Sequence, residues 1–197
     1  MDKEYLFRST RIGFRNWIEE DLKLFIDMNA SDKVMHYFPT TLSGEETKLV
    51  YDRIQRHFQK HEYGFYAVDD ISTGKWMGFI GFQHVRFEAS FSPAIEIGYR
   101  LLPQYWGKGF GTEGGLACLK YAKEHLDFDQ VVSFTARVNL PSQHVMEKIG
   151  LIFRYEFDHP LLRKDDPLRK HVLYQKTLKN DRKENHVRYS NCPKINE

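Results

Sequence analysis

The sequence predicts an α/β chain, a mixed sheet covered by helices on both faces, and three observations lead there. Strand-like and helix-like runs follow in the order strand, two helices, three strands, helix, strand, helix, two strands. Hydrophobic residues at 41% and charged residues at 28% of 197 residues describe a chain that can bury a substantial core. A glycine run, Gly107-Lys108-Gly109-Phe110-Gly111, joins an alternating strand to an amphipathic helix. Elements in this order bury their apolar faces best as a sheet between helical layers.

Residues 7–14 read as a first strand broken near Gly13. Leu22, Phe25, Ile26 and Met28 fall at helical spacing, giving a short helix over 19–28. Ser43 and Glu46 have the Ser-x-x-Glu form of a capping box, so a second helix opens there and runs to about His61. Leu49, Val50, Ile54 and Phe58 make its apolar stripe. Residues 65–68 and 76–82 form a hairpin around the turn residues 69–74.

Residues 94–102 alternate cleanly, with Ile95, Ile97, Tyr99 and Leu101 on one face and Glu96, Gly98 and Arg100 on the other. Leu116, Leu119, Ala122 and Leu126 predict a helix over 112–126. Residues 131–138 are β-rich, Pro141 suits the first turn of a helix ending at Ile149, and Gly150 suits its C-terminal cap. Residues 151–157 and 171–177 are the last strands. The domain organisation read from this is one domain over 1–177 and a polar tail over 178–197, poorly ordered or draped on a surface.

The formal charge is +2, with basic and acidic residues interleaved, which argues against a nucleic-acid partner. Met1-Asp2-Lys3-Glu4 lacks the apolar segment of a signal peptide, and no run approaches the ~20 apolar residues that span a bilayer. Cys118 and Cys192 read as free thiols in a reducing compartment, so a cytoplasmic protein is expected.

The glycine run carries the chemistry. Glycine permits φ > 0 and leaves amides uncovered, and a helix starting there aims its free N–H groups and positive dipole end at one spot. Such a spot binds phosphate, although a flexible strand-to-helix turn is the plain alternative. Glu96 is the candidate general base, a carboxylate on a core-forming strand where burial raises its pKa, unless it pairs with Arg100 or another cation on the same face.

The motif is more specific than glycine spacing. Gln104-Tyr105-Trp106-Gly107-Lys108-Gly109 fits a Gln/Arg-x-x-Gly-x-Gly/Ala signature and resembles the acetyl-CoA pyrophosphate loop of the GNAT N-acetyltransferases. Asn139-Leu140-Pro141-Ser142, followed by Met146-Glu147-Lys148-Ile149-Gly150-Leu151-Ile152-Phe153, is similar to a segment of the ribosomal-protein alanine N-acetyltransferase (RimJ/RimL-like) branch. Glu96-Ile97-Gly98-Tyr99 and His171-Val172-Leu173-Tyr174 resemble that branch as well, and the resemblance spans residues 7–177.

It implies the GNAT acyl-CoA N-acyltransferase fold, with a central, mostly antiparallel sheet flanked by helices on both faces. It implies acetyl-CoA as cosubstrate with no metal, and direct transfer to a primary amine in a ternary complex. The branch favours a protein N-terminal amine. A small-molecule amine (polyamine, amino sugar or aminoglycoside) and a non-catalytic acyl-CoA-binding module are the alternatives, and a homodimer is left open.

Residue by residue, the resemblance implies cofactor contacts from Gln104, Gly107, Lys108, Gly109, Phe110, Gly111 and Thr112 around the pyrophosphate. Ile97, Gly98 and Tyr99 would splay from the strand over 131–136 to admit the pantetheine arm, and Gly98 with nearby Pro103 suits a bulged strand. Asn139 would bond the pantetheine amide or simply cap the next helix. Many members place a proton-donating tyrosine where this chain has Met146, which donates nothing. Ser142 is then the candidate proton donor to the departing thiolate, or another cap or cofactor contact.

Other motifs read more plainly. His57 and His61 have zinc-compatible i, i+4 spacing, but no third ligand stands out and a solvated helix face is the expectation. Cys118 is expected to pack. Tyr37, Phe38, Tyr63, Phe65, Phe82 and Phe87 either line an acceptor pocket or, for most of them, fill the core.

Overall fold

In the computed structural model, which describes residues 4–178, eight strands form one sheet in the order β1-β2-β3-β4-β5-β6-β8-β7. The strands are β1 (Phe7–Arg8), β2 (Ile12–Arg15), β3 (Phe65–Asp70), β4 (Lys75–His84), β5 (Ile95–Leu101), β6 (Gln130–Ala136), β7 (Ile152–Asp158) and β8 (Lys170–Thr177). All neighbours pair antiparallel except β5 and β6, which run parallel. The helices are α1 (Glu19–Asn29), α2 (Asp32–Met35), α3 (Gly44–His61), α4 (Phe110–His125) and α5 (Leu140–Lys148). No helix among the described residues is long and apolar enough to cross a membrane.

Both faces of the central strands are buried, and the side-chain alternation sorts them into two cores. Tyr66, Val68, Met77, Ile80, Phe82 and Ile97 pack with Cys118, Leu119 and Ala122 of α4. Phe65, Ala67, Trp76 and Phe79 point the other way, against Trp17, Phe25, Met28 and Ile54 from the α1 and α3 layer. A buried ionic network locks that layer to the sheet. The Arg15 guanidinium donates to Asp21 at 2.6 and 2.9 Å and to Asp69 at 2.7 and 2.9 Å.

Several expectations are corrected. The first strand is two, and it breaks at residues 9–11, where Ser9 closes a turn onto the Ile12 amide at 3.1 Å. Gly13 lies inside β2 because a Cβ there would sit 2.2 Å from the Tyr5 ring. Asp69, expected in a turn, is a strand residue, held by Arg15 and fully buried. Leu49 and Leu116 stay 65% and 46% exposed, outside the cores their spacing suggested, and Cys118 packs in place of Leu116. Leu178 is buried and its amide donates to the Asp129 carbonyl at 2.8 Å, while the rest of the expected tail lies outside the described residues.

Two differences bear on function. β5 pairs with β4 in unbroken register from Leu101 to Ile95, so Gly98 marks no bulge. The strands part elsewhere: β5 meets β6 at one register pair, Glu96 with Val132, while each pairs along its length with its other neighbour. β4 ends at His84 beside His57 and His61, so that pair does have a third imidazole neighbour, supplied by a strand remote in sequence.

Candidate active site

The parting of β5 and β6 opens a cleft of about 920 Å³. The start of α4 and the glycine run close one end. Gly109 is the residue before the helix, with φ 81 and ψ 0, and Gly107 also has positive φ at 70. The first helical bond runs from the Glu113 amide to the Gly109 carbonyl at 2.9 Å, so the amides of Phe110, Gly111 and Thr112 lie ahead of it and have no helical partner. A Cβ on Gly107 would meet nothing within 4 Å, and on Gly109 only Arg11 Nη2 at 3.5 Å. Side-chain-free amides at a helix N-terminus suit a phosphate or diphosphate.

The β1–β2 turn braces this loop, a support the sequence reading missed. Ser9 Oγ donates to Glu113 at 2.7 Å, and Arg11 Nε donates to the other Glu113 oxygen at 2.6 Å. Arg11 Nη1 reaches the Lys108 carbonyl at 3.1 Å while its guanidinium lies 4.1 Å from the Phe110 ring centre.

Glu96 faces the cleft from near the start of β5 and is the only carboxylate among the described residues that line it. Its surroundings strip it of water, and that raises its pKa to about 7. Gln83 Nε2 donates to it at 2.7 Å and Arg86 lies near, and both hold the pKa below what burial alone would give. The ion pair with Arg100 does not form. Arg100 donates to Asn29 Oδ1 at 2.5 Å and lies 4.0 Å from the Phe38 ring centre, leaving its Nε without a hydrogen-bond partner. Replacing Gln83 with Leu is expected to move the Glu96 titration further up, since the lost donor favours the charged form. Carboxyl resonances followed by NMR against pH check this, and an unchanged midpoint would show that Gln83 does not set it.

At the α5 side, Asn139 caps the helix: its Oδ1 accepts from the Ser142 amide at 3.3 Å and its Nδ2 donates to Thr135 Oγ1 at 2.8 Å. The cap reading therefore holds, and each amide atom retains capacity for one further partner. Tyr99 donates to the Ser142 carbonyl at 2.8 Å and lies 3.1 Å from Ser142 Oγ, so the two hydroxyls meet across the cleft between β5 and α5. Burial raises the Tyr99 pKa well above its ordinary value. Met146 is 1% exposed, packed in the core.

Of the expected site residues, Glu96, Gly98, Tyr99, Gly107, Gly109, Phe110, Gly111, Thr112, Asn139 and Ser142 all line this one cleft. Ile97, Gln104 and Lys108 lie off its walls: Ile97 is fully buried on the opposite face of β5, and the other two are exposed on the outer side of the loop. Of the aromatic group, Tyr37 and Phe38 line it, whereas Phe65 and Phe82 are core.

Phe134, His159 and His171 also line the cleft, and Phe87, one of the aromatic residues expected either to line a pocket or to fill the core, packs against them. Phe87 and Phe134 pack with ring centres 5.3 Å apart, His159 sits 4.5 Å from Phe87, and His171 sits 4.8 Å from His159. Burial, with Arg169 and His171 nearby, pushes the His159 pKa down to about 4, so this wall is uncharged at neutral pH. Strands β6 and β8 and two loops, remote from one another in sequence, bring these rings together.

Residues 11–152 match the family described as acetyltransferase (GNAT) domain. Among curated proteins of Bacillus subtilis (strain 168), the uncharacterized protein YkkB is 27% identical over 118 residues, 60% of this chain and 67% of its own. The uncharacterized N-acetyltransferase YnaD is 25% identical over 133 residues, 68% of this chain and 59% of its own, so the match spans about three-fifths to two-thirds of these relatives. Solved structures agree on the fold. An acetyltransferase from Agrobacterium tumefaciens superposes with a TM-score of 0.71 at 23% identity, covering 89% of this chain and 98% of that one. Spermidine N-acetyltransferase from Vibrio cholerae, solved with CoA and spermine, gives 0.68 at 16% identity over 86% and 96%. RimL, a ribosomal L7/L12 alpha-N-protein acetyltransferase solved with coenzyme A, gives 0.70 at 16% identity over 88% and 98%.

Proposed function

The chain belongs to the acetyltransferase (GNAT) domain family, and from that premise we propose that its cleft transfers an acetyl group from acetyl-CoA to the N-terminal amine of a protein. The observation that carries this reading is that one cleft joins a side-chain-free amide cradle, a single partly buried carboxylate and an uncharged aromatic wall. The cradle fits the diphosphate of CoA: a Cβ at Gly107 or Gly109 would project where the loop is now bare, and the free amides match an anion. Acetyl-CoA, when bound, supplies the activated acetyl group. Residues 1–177 are proposed as the domain, of the RimJ/RimL-like branch.

The chain's own residues then divide the work. Amides of Phe110, Gly111 and Thr112 hold the phosphates, and Gly98, Tyr99 and Asn139 line the way from there to Glu96. Glu96, with a pKa of about 7, is half ionised near neutrality and accepts the proton of the attacking amine, directly or through a water. Ser142 Oγ, 3.1 Å from the Tyr99 hydroxyl, is the proposed proton donor to the departing thiolate and regains its proton from solvent. A thiol with an ordinary pKa near 8.5 leaves with little help, which suits a chain that has Met146 instead of an acid there.

The acceptor follows from the lining. A polyamine, the substrate class of the Vibrio cholerae neighbour, carries several cations and needs several carboxylates, whereas Glu96 stands alone among Lys33, Arg100 and Lys148. A peptide N-terminus brings one amine and an apolar or aromatic body that the Phe87–Phe134 wall can cover. The test is kcat/KM for acetyl-CoA-dependent acetylation of N-terminal peptides beside spermidine, amino sugars and aminoglycosides. Peptides with an apolar side chain near the terminus are expected to lead by tenfold or more, and a leading polyamine would overturn the choice of acceptor.

A further inference from the structure

We propose that His57, His61 and His84 form a binding site for a late first-row divalent metal, with Zn2+ as the reference ion. The three side chains each offer a ligand atom, and these atoms all lie within 4.8 Å of one another. His57 and His61 stack one helical turn apart at the end of α3, with ring centres 4.6 Å apart. His84, the last residue of β4, stands 4.6 Å from His61 and 5.6 Å from His57. Tetrahedral zinc with nitrogen ligands at about 2.0–2.1 Å needs nitrogens about 3.4 Å apart. Side-chain rotation, at the rim of an open cavity of about 320 Å³, is required to bring the ligand atoms to that spacing.

The hydrogen bonds already orient this set. His57 Nδ1 lies 2.8 Å from the Tyr63 carbonyl, which can only accept, so the proton sits on Nδ1 and the lone pair on Nε2. That Nε2 meets a donor only at 3.4 Å, the His84 amide. The Tyr63 hydroxyl lies 3.0 Å from His84 Nε2, so one tyrosine steadies two of the three rings from behind, the arrangement that tunes metal-binding histidines. Imidazoles select Zn2+, Cu2+ or Ni2+ over Mg2+ and Ca2+, which prefer oxygen. Arg53, Lys60 and Arg86 line the same cavity and repel a dication, so a hydroxide or another small anion at the open coordination position is required to offset them.

The site would staple the last turn of α3 to the end of β4, next to Gln83, the partner of Glu96. It is separate from the acetyl-transfer cleft and does not depend on the function assigned there. The experiment is calorimetric titration of Zn2+ into tag-free, chelator-treated full-length protein, with thermal melting in parallel. The expected result is one equivalent bound and a rise in melting temperature with added Zn2+. His61→Ala and His84→Ala should each weaken binding at least tenfold and lose that rise, while surface His125→Ala keeps both. Circular dichroism of the two variants establishes that they fold. Absence of stoichiometric binding, or binding that survives both substitutions, overturns the proposal.

Discussion

Glu96→Gln is expected to lower kcat/KM for acetyl transfer by about 10²–10⁴, the usual contribution of a positioned general base. Glutamine keeps the shape of the side chain and its contact with Gln83 while removing the proton acceptor. The pH profile separates this from simple damage. With a Glu96 pKa of about 7, wild-type activity is present above that pH and falls as pH drops through it. The variant should lose this limb and retain only the ionisation of the acceptor amine, near 7.7–8.0 for an α-amino group.

Stability should move the opposite way. A carboxyl whose pKa is raised by folding stabilises the fold fully below its unfolded pKa, and the contribution is lost as pH climbs toward 7. Above pH 7 the ionised Glu96 strains its dry site, so Glu96→Gln should melt at or above the wild-type temperature there. Full activity with an unchanged acid limb would remove Glu96 from the mechanism.

Gly109→Val is expected to raise the KM and Kd for acetyl-CoA about ten- to a hundredfold, with kcat at saturation near wild type. The cause is the backbone. Space is adequate, since a Cβ meets only Arg11 Nη2 at 3.5 Å. However, φ 81 with ψ 0 is a left-handed conformation that a β-branched residue resists, at about 1–3 kcal/mol. The loop either carries that strain or relaxes and turns its amides away from the phosphates. Gly111→Ala is the internal comparison: Gly111 has no positive φ, and its Cβ would meet Val145 at an ordinary 3.5 Å, so its effect should be small. Isothermal titration with CoA and initial rates check both, and equal losses in the two variants would show that loop conformation is not the reason.

Much of this was legible in the sequence because local rules govern it. The glycine run, the alternation from Ile95 to Leu101 and the Ser43–Glu46 capping box each state their own geometry. What failed depends on distant partners. Asp69 has turn composition, yet Arg15 holds it inside a strand. Gly98 suggested a bulge, but β5 runs in unbroken register beside β4, and the cleft opens where β5 meets β6 at a single register pair. The His84 neighbour of the helix pair, the Ser9 and Arg11 brace on Glu113, and the Phe87–His159 wall join residues far apart in the chain. Chemistry assembled that way has no local pattern to read.

On the proposed function, the cleft moves acetyl directly from acetyl-CoA to an amine. The most direct measurement is CoA-thiol release from the wild-type protein and acetyl-CoA, first alone and then with an N-terminal peptide, with the intact mass of the protein followed throughout. The account predicts no release and no acetylated protein before the peptide is added, then steady turnover and an N-terminally acetylated peptide. Stoichiometric release with an acetyl-enzyme before any amine is present, or tight acetyl-CoA binding with no release across the whole acceptor panel, would contradict it.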